Sequence, residues 1–340
     1  MKPPTFRQIA KACGVSVSTV SRAFNCHPNI PAKTRERIEA KARAMGWKPN
    51  PMASAYMAHL RSTQEPHHQA NLAFLVAFRE GLRFADLPGY HREVFQGAKT
   101  RAEALGYALD TIFLSSVDFD LSRLAAVLKN RGILGLIVHG GEAGASAFDG
   151  FDWDSFAVAT WGFSLTQPLL HRAAHHMEAG MQEAMSRLRT AGYQRIALAI
   201  SKNLDYLQNH AALAYYLRDQ HEQGAPMLTK LYDEHPGASR ELKAWLRETK
   251  PDVVIGDHVT WTAWQELPAK AKRPAFASIN WHQNFPEIGG ISHQPQRIGS
   301  NVLDLLVGQL LRNERGVPES PKLLLSEGRW QDGASVPERN

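Results

Sequence analysis

The sequence predicts a small all-α unit of three helices joined to a larger α/β domain of two lobes, each lobe built on a parallel sheet. Three observations lead there. The first is where the charge lies. The chain has 340 residues and a net charge of +6, yet residues 1–61 alone hold eleven Lys or Arg against only Glu36 and Glu39. Residues 62–340 are left with 28 basic and 31 acidic side chains. The second is a set of three short apolar stripes at helical spacing, interrupted by Gly14 and ended by Gly46. The third is an alternation of apolar strand-like runs with amphipathic helix-like runs that starts near residue 70 and passes through two cycles. Such alternation indicates parallel sheets covered by helices.

Within the N-terminal unit, Thr5-Phe6-Arg7-Gln8 has the form of a capping box, in which the Thr hydroxyl and the Gln amide satisfy free amides at a helix start. A helix from Phe6 to Ala12 follows, with Phe6, Ile9 and Ala10 as its apolar stripe, and it stops near Cys13-Gly14, where glycine tolerates a left-handed turn. Ser16 caps a second helix, Val17 to Asn25. Val20 faces inward with Ala23 or Phe24, while Val17, Ser18, Ser21 and Arg22 lie on other faces. A third helix from Pro31 to Met45 buries Ile38, Ala42 and Met45 and leaves Lys33, Arg35, Arg37, Lys41 and Arg43 solvated. Two short helices joined by a glycine turn, with a third closing the core, make a helix-turn-helix. The excess of base on this unit suits a polyanionic partner, because neutralised phosphates release counterions. Charge alone leaves an ordinary solvated basic face equally open.

The run from Ile9 to Asn25, followed by Thr34-Arg35-Glu36-Arg37-Ile38 and Gly46-Trp47-Lys48-Pro49-Asn50-Pro51, resembles the lactose-repressor/galactose-repressor (LacI/GalR) family of regulators. The resemblance implies a helix-turn-helix domain over residues 1–46 and a hinge over 47–61. Val17, Ser18 and Arg22 would then face the major groove, where Arg donates twice to guanine, Ser donates or accepts, and Val meets a thymine methyl. Thr5, Ser16, Thr19, Ser21, Asn25, His27 and Thr34 would hold phosphates, which fix register without reading sequence. For Thr5 and Ser16, helix capping is the stronger role. Met52, Ala53, Tyr56 and Met57 occupy the family's hinge helix, which enters the minor groove and wedges a leucine between base steps. Tyr56 stands at the wedge position, a departure that leaves Met57 or Leu60 as substitutes.

The resemblance continues, more weakly, into residues 62–340, and implies a sensor similar to periplasmic sugar-binding proteins. Lobe one is expected over about 70–162 plus 294–318, and lobe two over about 163–293 plus 319–340. Strands are expected at 71–78, 108–113, 135–139, 195–200, 253–257 and 276–280, and helices at 90–105, 121–130, 176–191, 207–220 and 298–311. Ligands in such sheets bind beyond the carboxyl ends of strands. The cleft residues implied are Phe78, Arg79, Tyr90 and Trp161 in the first lobe and Asn209, Asp257, His258, Asn280 and Trp281 in the second. Aromatics stack on sugar rings and Asp or Asn bond their hydroxyls, so a small polar effector, such as a sugar, is expected. Many sugar-responsive relatives carry Arg where Asn209 falls and Asp where Asn280 falls, which keeps an anionic or nitrogenous effector open.

Other classes find little support. There is no nucleophile elbow, Walker loop or dinucleotide loop; Gly140-Gly141-Glu142-Ala143-Gly144 follows a strand with the wrong spacing. His171 and His175 would share a helix face but lack the intervening Glu and a third ligand for zinc. No enzyme activity, cofactor or metal is expected. The rivals, a cytoplasmic α/β enzyme or a solute-binding protein, leave the basic N-terminal unit unexplained. No apolar run reaches eighteen residues and Met1–Thr5 lacks an apolar export signal, so a cytoplasmic location without membrane contact is expected. One headpiece reads one half-site, so a homodimer on palindromic double-stranded DNA is expected.

Overall fold

The computed structural model describes residues 4–24, 30–47, 70–78, 89–115, 120–141, 148–268 and 273–338. The N-terminal unit holds α1 (Phe6–Cys13), α2 (Val17–Phe24) and α3 (Ala32–Ala44). Their inward residues are those of the apolar stripes: Ile9, Ala10, Val20, Ala23, Ile38 and Ala42 are buried together, and Phe6, Phe24 and Met45 pack against them half-buried. An aromatic stack closes this small core. The Phe6 and Phe24 rings lie 5.3 Å apart and nearly parallel, and Trp47 lies 4.3 Å from Phe24. Such pairs add about 0.5–1.5 kcal/mol beyond their buried area.

The larger domain contains two six-stranded sheets. In the first lobe, β1 (Ala70–Phe78), α4 (Gly89–Ala104), β2 (Tyr107–Ser115), α5 (Leu121–Asn130), β3 (Gly135–His139), β4 (Ala157–Trp161) and β5 (His171–His175) follow in order. The second lobe has α6 (Met177–Thr190), β6 (Ile196–Ser201), α7 (Lys202–Leu207), α8 (Ala211–Glu222), β7 (Leu228–Tyr232), α9 (Ala238–Thr249), β8 (Val253–Gly256), α10 (His258–Gln265), β9 (Ala275–Ser278) and β10 (Gly289–Ser292). The chain then returns through α11 (Pro295–Arg312) and β11 (Leu323–Ser326) before ending near β12 (Arg329–Gln331). The first sheet has the order β11-β5-β4-β3-β1-β2 and the second β12-β10-β9-β8-β6-β7. Every pairing is parallel except β10 with β12. Central strands such as β3, β4, β6 and β8 are buried throughout, as strands covered by helices on both faces must be.

Two strands that the sequence reading places in lobe two, β5 and β11, pair in the first sheet instead. The chain thus crosses between lobes at residues 175–177, 292–295 and 326–329, each time directly after a strand. Composition gave no mark of this, because β5, His171-Arg172-Ala173-Ala174-His175, is buried yet rich in polar residues. The helix expected over 207–220 begins only at Ala211, as α8, and a break at 208–210 separates it from the short α7. Asn209 and His210 sit there at φ of 55° and 60°, held because the Asp205 carboxylate reaches His210 Nδ1 at 2.7 Å and the Asp205 carbonyl accepts from the His210 amide. Among the described residues, no helix is long and apolar enough to cross a membrane.

The tightest contact joins α4 to α11. A Cβ on Gly97 would lie 1.9 Å from the Gln296 carbonyl oxygen, and one on Gly299 would lie 1.9 Å from that of Val94. Backbone opposes backbone, so neither side has a flexible group to yield. Gly308, in the same helix, would meet only the far end of the Arg312 side chain. Gly299→Ala and Gly97→Ala should therefore each cost at least about 2 kcal/mol, seen as a lower denaturant midpoint. Gly308→Ala should be neutral or stabilise by up to about 1 kcal/mol through helix propensity. Equal effects at 299 and 308 would contradict this packing.

Candidate nucleic-acid interface and ligand cleft

In the N-terminal unit the capping box is formed: the Gln8 amide donates to Thr5 Oγ1 at 3.4 Å and the Thr5 amide to Gln8 Oε1 at 2.8 Å. Ser16 caps α2 by accepting from the Thr19 amide at 3.0 Å, and its hydroxyl also meets those of Ser18 and Thr19 at 2.7 Å. Gly14 takes φ of 65° between the two helices. With Val20 and Ala23 turned into the core, Val17, Ser18 and Arg22 are left exposed along one flank of α2, and the apolar Val17 is 44% accessible. An exposed valine on a flank that also carries Ser18 and Arg22, one helical turn apart, fits a groove better than it fits bulk water. Thr19, Ser21 and Thr34 are half-buried around that flank. Asn25, His27, Met52, Ala53, Tyr56 and Met57 lie outside the described residues.

A cavity of about 540 Å³ opens at the carboxyl ends of β8 and β9. Its walls come from both lobes. Lobe one supplies Gly89, Tyr90 and Glu93 at the start of α4; lobe two supplies Asp257 and His258 at the start of α10 and the loop after β9. The start of α11, with Gln294, Gln296 and Arg297, closes a third side. Five expected residues, Tyr90, Asp257, His258, Asn280 and Trp281, line this space. Trp161 does not: it is 2% exposed and stacks on His139 at 3.9 Å, with Tyr90 6.0 Å away. Asn209 sits exposed at the α7–α8 break, away from the lining. Phe78 ends β1, where only its backbone is described, and Arg79 lies outside the described residues. Glu93, Trp261, His282, Phe285 and Arg297 also line the cavity. No motif marked them, because they come from a loop and from helix ends whose meeting depends on lobe packing.

Electrostatics divides these side chains by task. Asp257 accepts from the Ser201 amide at 2.8 Å, from the Thr260 amide at 3.0 Å and from the Tyr232 hydroxyl. Its oxygens are committed to holding β6, β7 and α10 together, so its main work is structural. Burial and the neighbouring Asp257 charge push the Tyr232 phenol well above its ordinary range. Burial likewise raises Tyr90, and it lowers His91 to about 4. His139 is held well below the usual imidazole range by burial first and then by the nearby His91 and Arg172. Arg172 is itself brought down to about 10 by burial, and it donates to the carbonyls of Gly162 and Leu165. The indole N–H groups of Trp161 and Trp281 are buried without an acceptor among the described residues. Across the mouth, His282 Nε2 approaches Glu93 Oε1 at 2.9 Å, off the line of a straight hydrogen bond.

His171 and His175 lie on a strand rather than a helix. His171 Nδ1 accepts from the Lys322 amide at 2.9 Å, and His175 stacks on His293. Among the described residues, no three His, Cys, Asp or Glu side chains converge as a metal site would require.

The structural role of Asp257 is open to test. Asp257→Ala should destabilise the chain by about 2–4 kcal/mol by orphaning buried donors, and Tyr232→Phe by about 1 kcal/mol. Equilibrium denaturation measures both; a wild-type midpoint for Asp257→Ala would show that the carboxylate is spared for ligand.

Residues 5–50 match the family model of bacterial regulatory proteins, lacI family. Over 49 residues the chain is 47% identical to the HTH-type transcriptional regulator RafR of Escherichia coli, which covers 14% of this chain and 15% of that protein. Similarity along the whole length is one of fold. The crystal structure of the lac repressor dimer bound to operator and the anti-inducer ONPF superposes with a TM-score of 0.56 at 18% identity, covering 98% of this chain and 99% of that one. The complex of the transcriptional regulator CelR with cellobiose gives 0.56 at 16% identity, covering 98% and 99%. Residues 5–50 thus carry a helix-turn-helix of the lacI family model, and the fold along nearly the full length is that of the lac repressor and CelR.

Proposed function

We propose that the chain is a sequence-specific DNA-binding transcriptional regulator, a repressor, whose operator affinity is set by a small polar effector held between the lobes. One observation carries the reading: the outer flank of α2, in a lacI-family headpiece, presents Val17, Ser18 and Arg22 to solvent while its inner flank is fully used in the core. Base-reading side chains must be exposed and rigidly based, and this flank is both. The effector reading rests on the two-lobed cleft, whose aromatic faces at Tyr90, Trp261, Trp281 and Phe285 and polar groups at Asn280, His258, Gln294 and Gln296 suit a hydroxylated ring. The binding partners of related proteins, an operator for the lac repressor dimer and cellobiose for CelR, agree with it. The chain works as a cytoplasmic homodimer on a palindromic operator, without enzymatic turnover or cofactor. Thr5, Ser16, Thr19, Ser21, Asn25, His27 and Thr34 face phosphates, and Met52, Ala53, Tyr56 and Met57 enter the minor groove.

The test is selection of bound sequences from random DNA by the full chain, then titration of the selected operator at fixed salt. Arg22→Ala should weaken the selected operator by about 1–3 kcal/mol, roughly ten- to a hundredfold, and relax preference at one base position per half-site. Tyr56→Ala should reduce both affinity and DNA bending. Failure to enrich any sequence, or an Arg22→Ala loss that is uniform across all sequences, would sink the reading. Titrations repeated with a panel of mono- and disaccharides test the effector arm; operator affinity unmoved by every ligand that binds would remove the allosteric part.

A further inference from the structure

The three interlobe crossings converge on one buried side chain. His175 ends β5 at the first crossing, and its ring stacks on His293 of the second at 3.8 Å and 11°. A Cβ on Gly328, in the third crossing, would lie 2.7 Å from His175 Cε1, and one on Gly180 of α6 would lie 3.1 Å from its Nε2. The ring is thus enclosed by all three connections and by the first helix of lobe two. Both His175 nitrogens are buried and make no hydrogen bond of good geometry among the described residues. The nearby Ser326 carbonyl, already accepting from the His176 amide at 2.8 Å, raises the ring's basicity against the larger effect of burial. His293 donates from Nε2 to the Ile279 carbonyl at 2.7 Å, and its other face meets Tyr90 of the cleft wall edge-on at 6.1 Å.

We propose that the His175–His293 stack is a proton-sensitive pivot: the lobe arrangement seen here requires both rings neutral, and acid favours a rotated arrangement in which the crossings part and the rings meet water. The titratable groups facing the stack are His176 beside it on the same crossing, His293 from the second crossing and Tyr90 from α4; α6 and the third crossing present Gly180 and Gly328. No carboxylate is among the groups that shift either ring. Burial lowers His293 to about 4, and burial with the adjoining His293 and His176 lowers His175 further. A histidine lowered in one arrangement stabilises it above the ordinary imidazole value, near 6.5, and that advantage is lost as pH falls below it. Between pH 7.5 and 5.5, each ring released to water should shift the equilibrium toward the rotated arrangement by about tenfold. The pivot does not depend on what the cleft binds.

Hydrogen exchange on the full-length protein tests this, with rates corrected for the intrinsic pH dependence of exchange. Lowering pH from 7.5 to 5.5 should reduce protection of the amides at 291–294 and 326–328 by at least about tenfold, while amides of β3 and β8 keep theirs. His175→Phe, which keeps a stacked ring, should reduce the pH effect at the hinge by about tenfold; if that variant does not fold, His293→Phe should reduce it likewise. Proton resonances of the two rings in the wild-type protein provide an independent readout and should show no titration near 6.5 while the hinge stays protected. Hinge protection unchanged at pH 5.5, an undiminished pH effect in every folded variant, or a ring that titrates near 6.5 with the hinge amides protected would each overturn the proposal.

Discussion

Two glycines, Gly97 and Gly299, let α4 and α11 approach until backbone meets backbone, and the geometry of the larger domain follows from that contact. Helix α11 is the element that returns from the second lobe to the first. Pinned against α4, it covers the first sheet with Ile298, Val302, Leu303 and Leu306. The same crossing fixes both helix starts at one place, so that Gly89, Tyr90 and Glu93 face Gln294, Gln296 and Arg297 across the cleft. A larger residue at either glycine would separate the helices by more than a side-chain adjustment can absorb, and the mouth of the cleft would move with them.

The cleft illustrates how little of a polar site is available to a ligand. Asp257 looks from sequence like an ideal partner for hydroxyl groups, but a buried carboxylate needs donors, and two backbone amides and a phenol already supply them. Arg172, buried beside the same lobe's aromatic cluster, is likewise spent on two carbonyls. Glu93 faces His282 across the mouth. What remains is a set of amides, imidazoles and indoles around aromatic surface, with the Arg297 guanidinium at the start of α11. Recognition by such groups depends on shape and on the placement of single hydrogen bonds.

Legibility in the sequence followed the range of the interactions. The headpiece was readable almost residue by residue, because its helices are set by contacts three or four positions apart: the Thr5/Gln8 box, the Ser16 cap, and stripes that became the buried set of Ile9, Val20, Ile38 and Ala42. Much of the sensor was readable for the same reason, but β7 and the helices α9 and α10 were not marked. The assignment of β5 and β11 to the first sheet was not, since a polar strand like His171–His175 gives no periodic signal and its burial depends on neighbours over a hundred residues away. Trp161 shows the complementary failure. Its position after a strand suggested a cleft wall, yet a ring stacked on His139 serves the core behind Tyr90. The break at Asn209–His210 was hidden because its cause, a carboxylate bonding a histidine five residues on, is a side-chain event that propensity does not record.

The hinge is where local stability and global arrangement conflict most openly. Two phenylalanine rings would fill the space of His175 and His293 and leave no ring nitrogen unbonded, whereas an unsatisfied buried polar group costs about 1–3 kcal/mol. In the core of lobe two the fold meets such demands: Tyr216, fully buried, reaches the carbonyls of Ile196 and Leu228, and Gln220 bonds Pro226. At the meeting point of the three crossings it does not. The cost there falls only on this one relation between the lobes, because each lobe keeps its own core when the crossings part. A destabilising group confined to a hinge therefore lowers the energy gap between two arrangements without weakening either lobe, and the fold holds such a group at a place where all three connections can feel it.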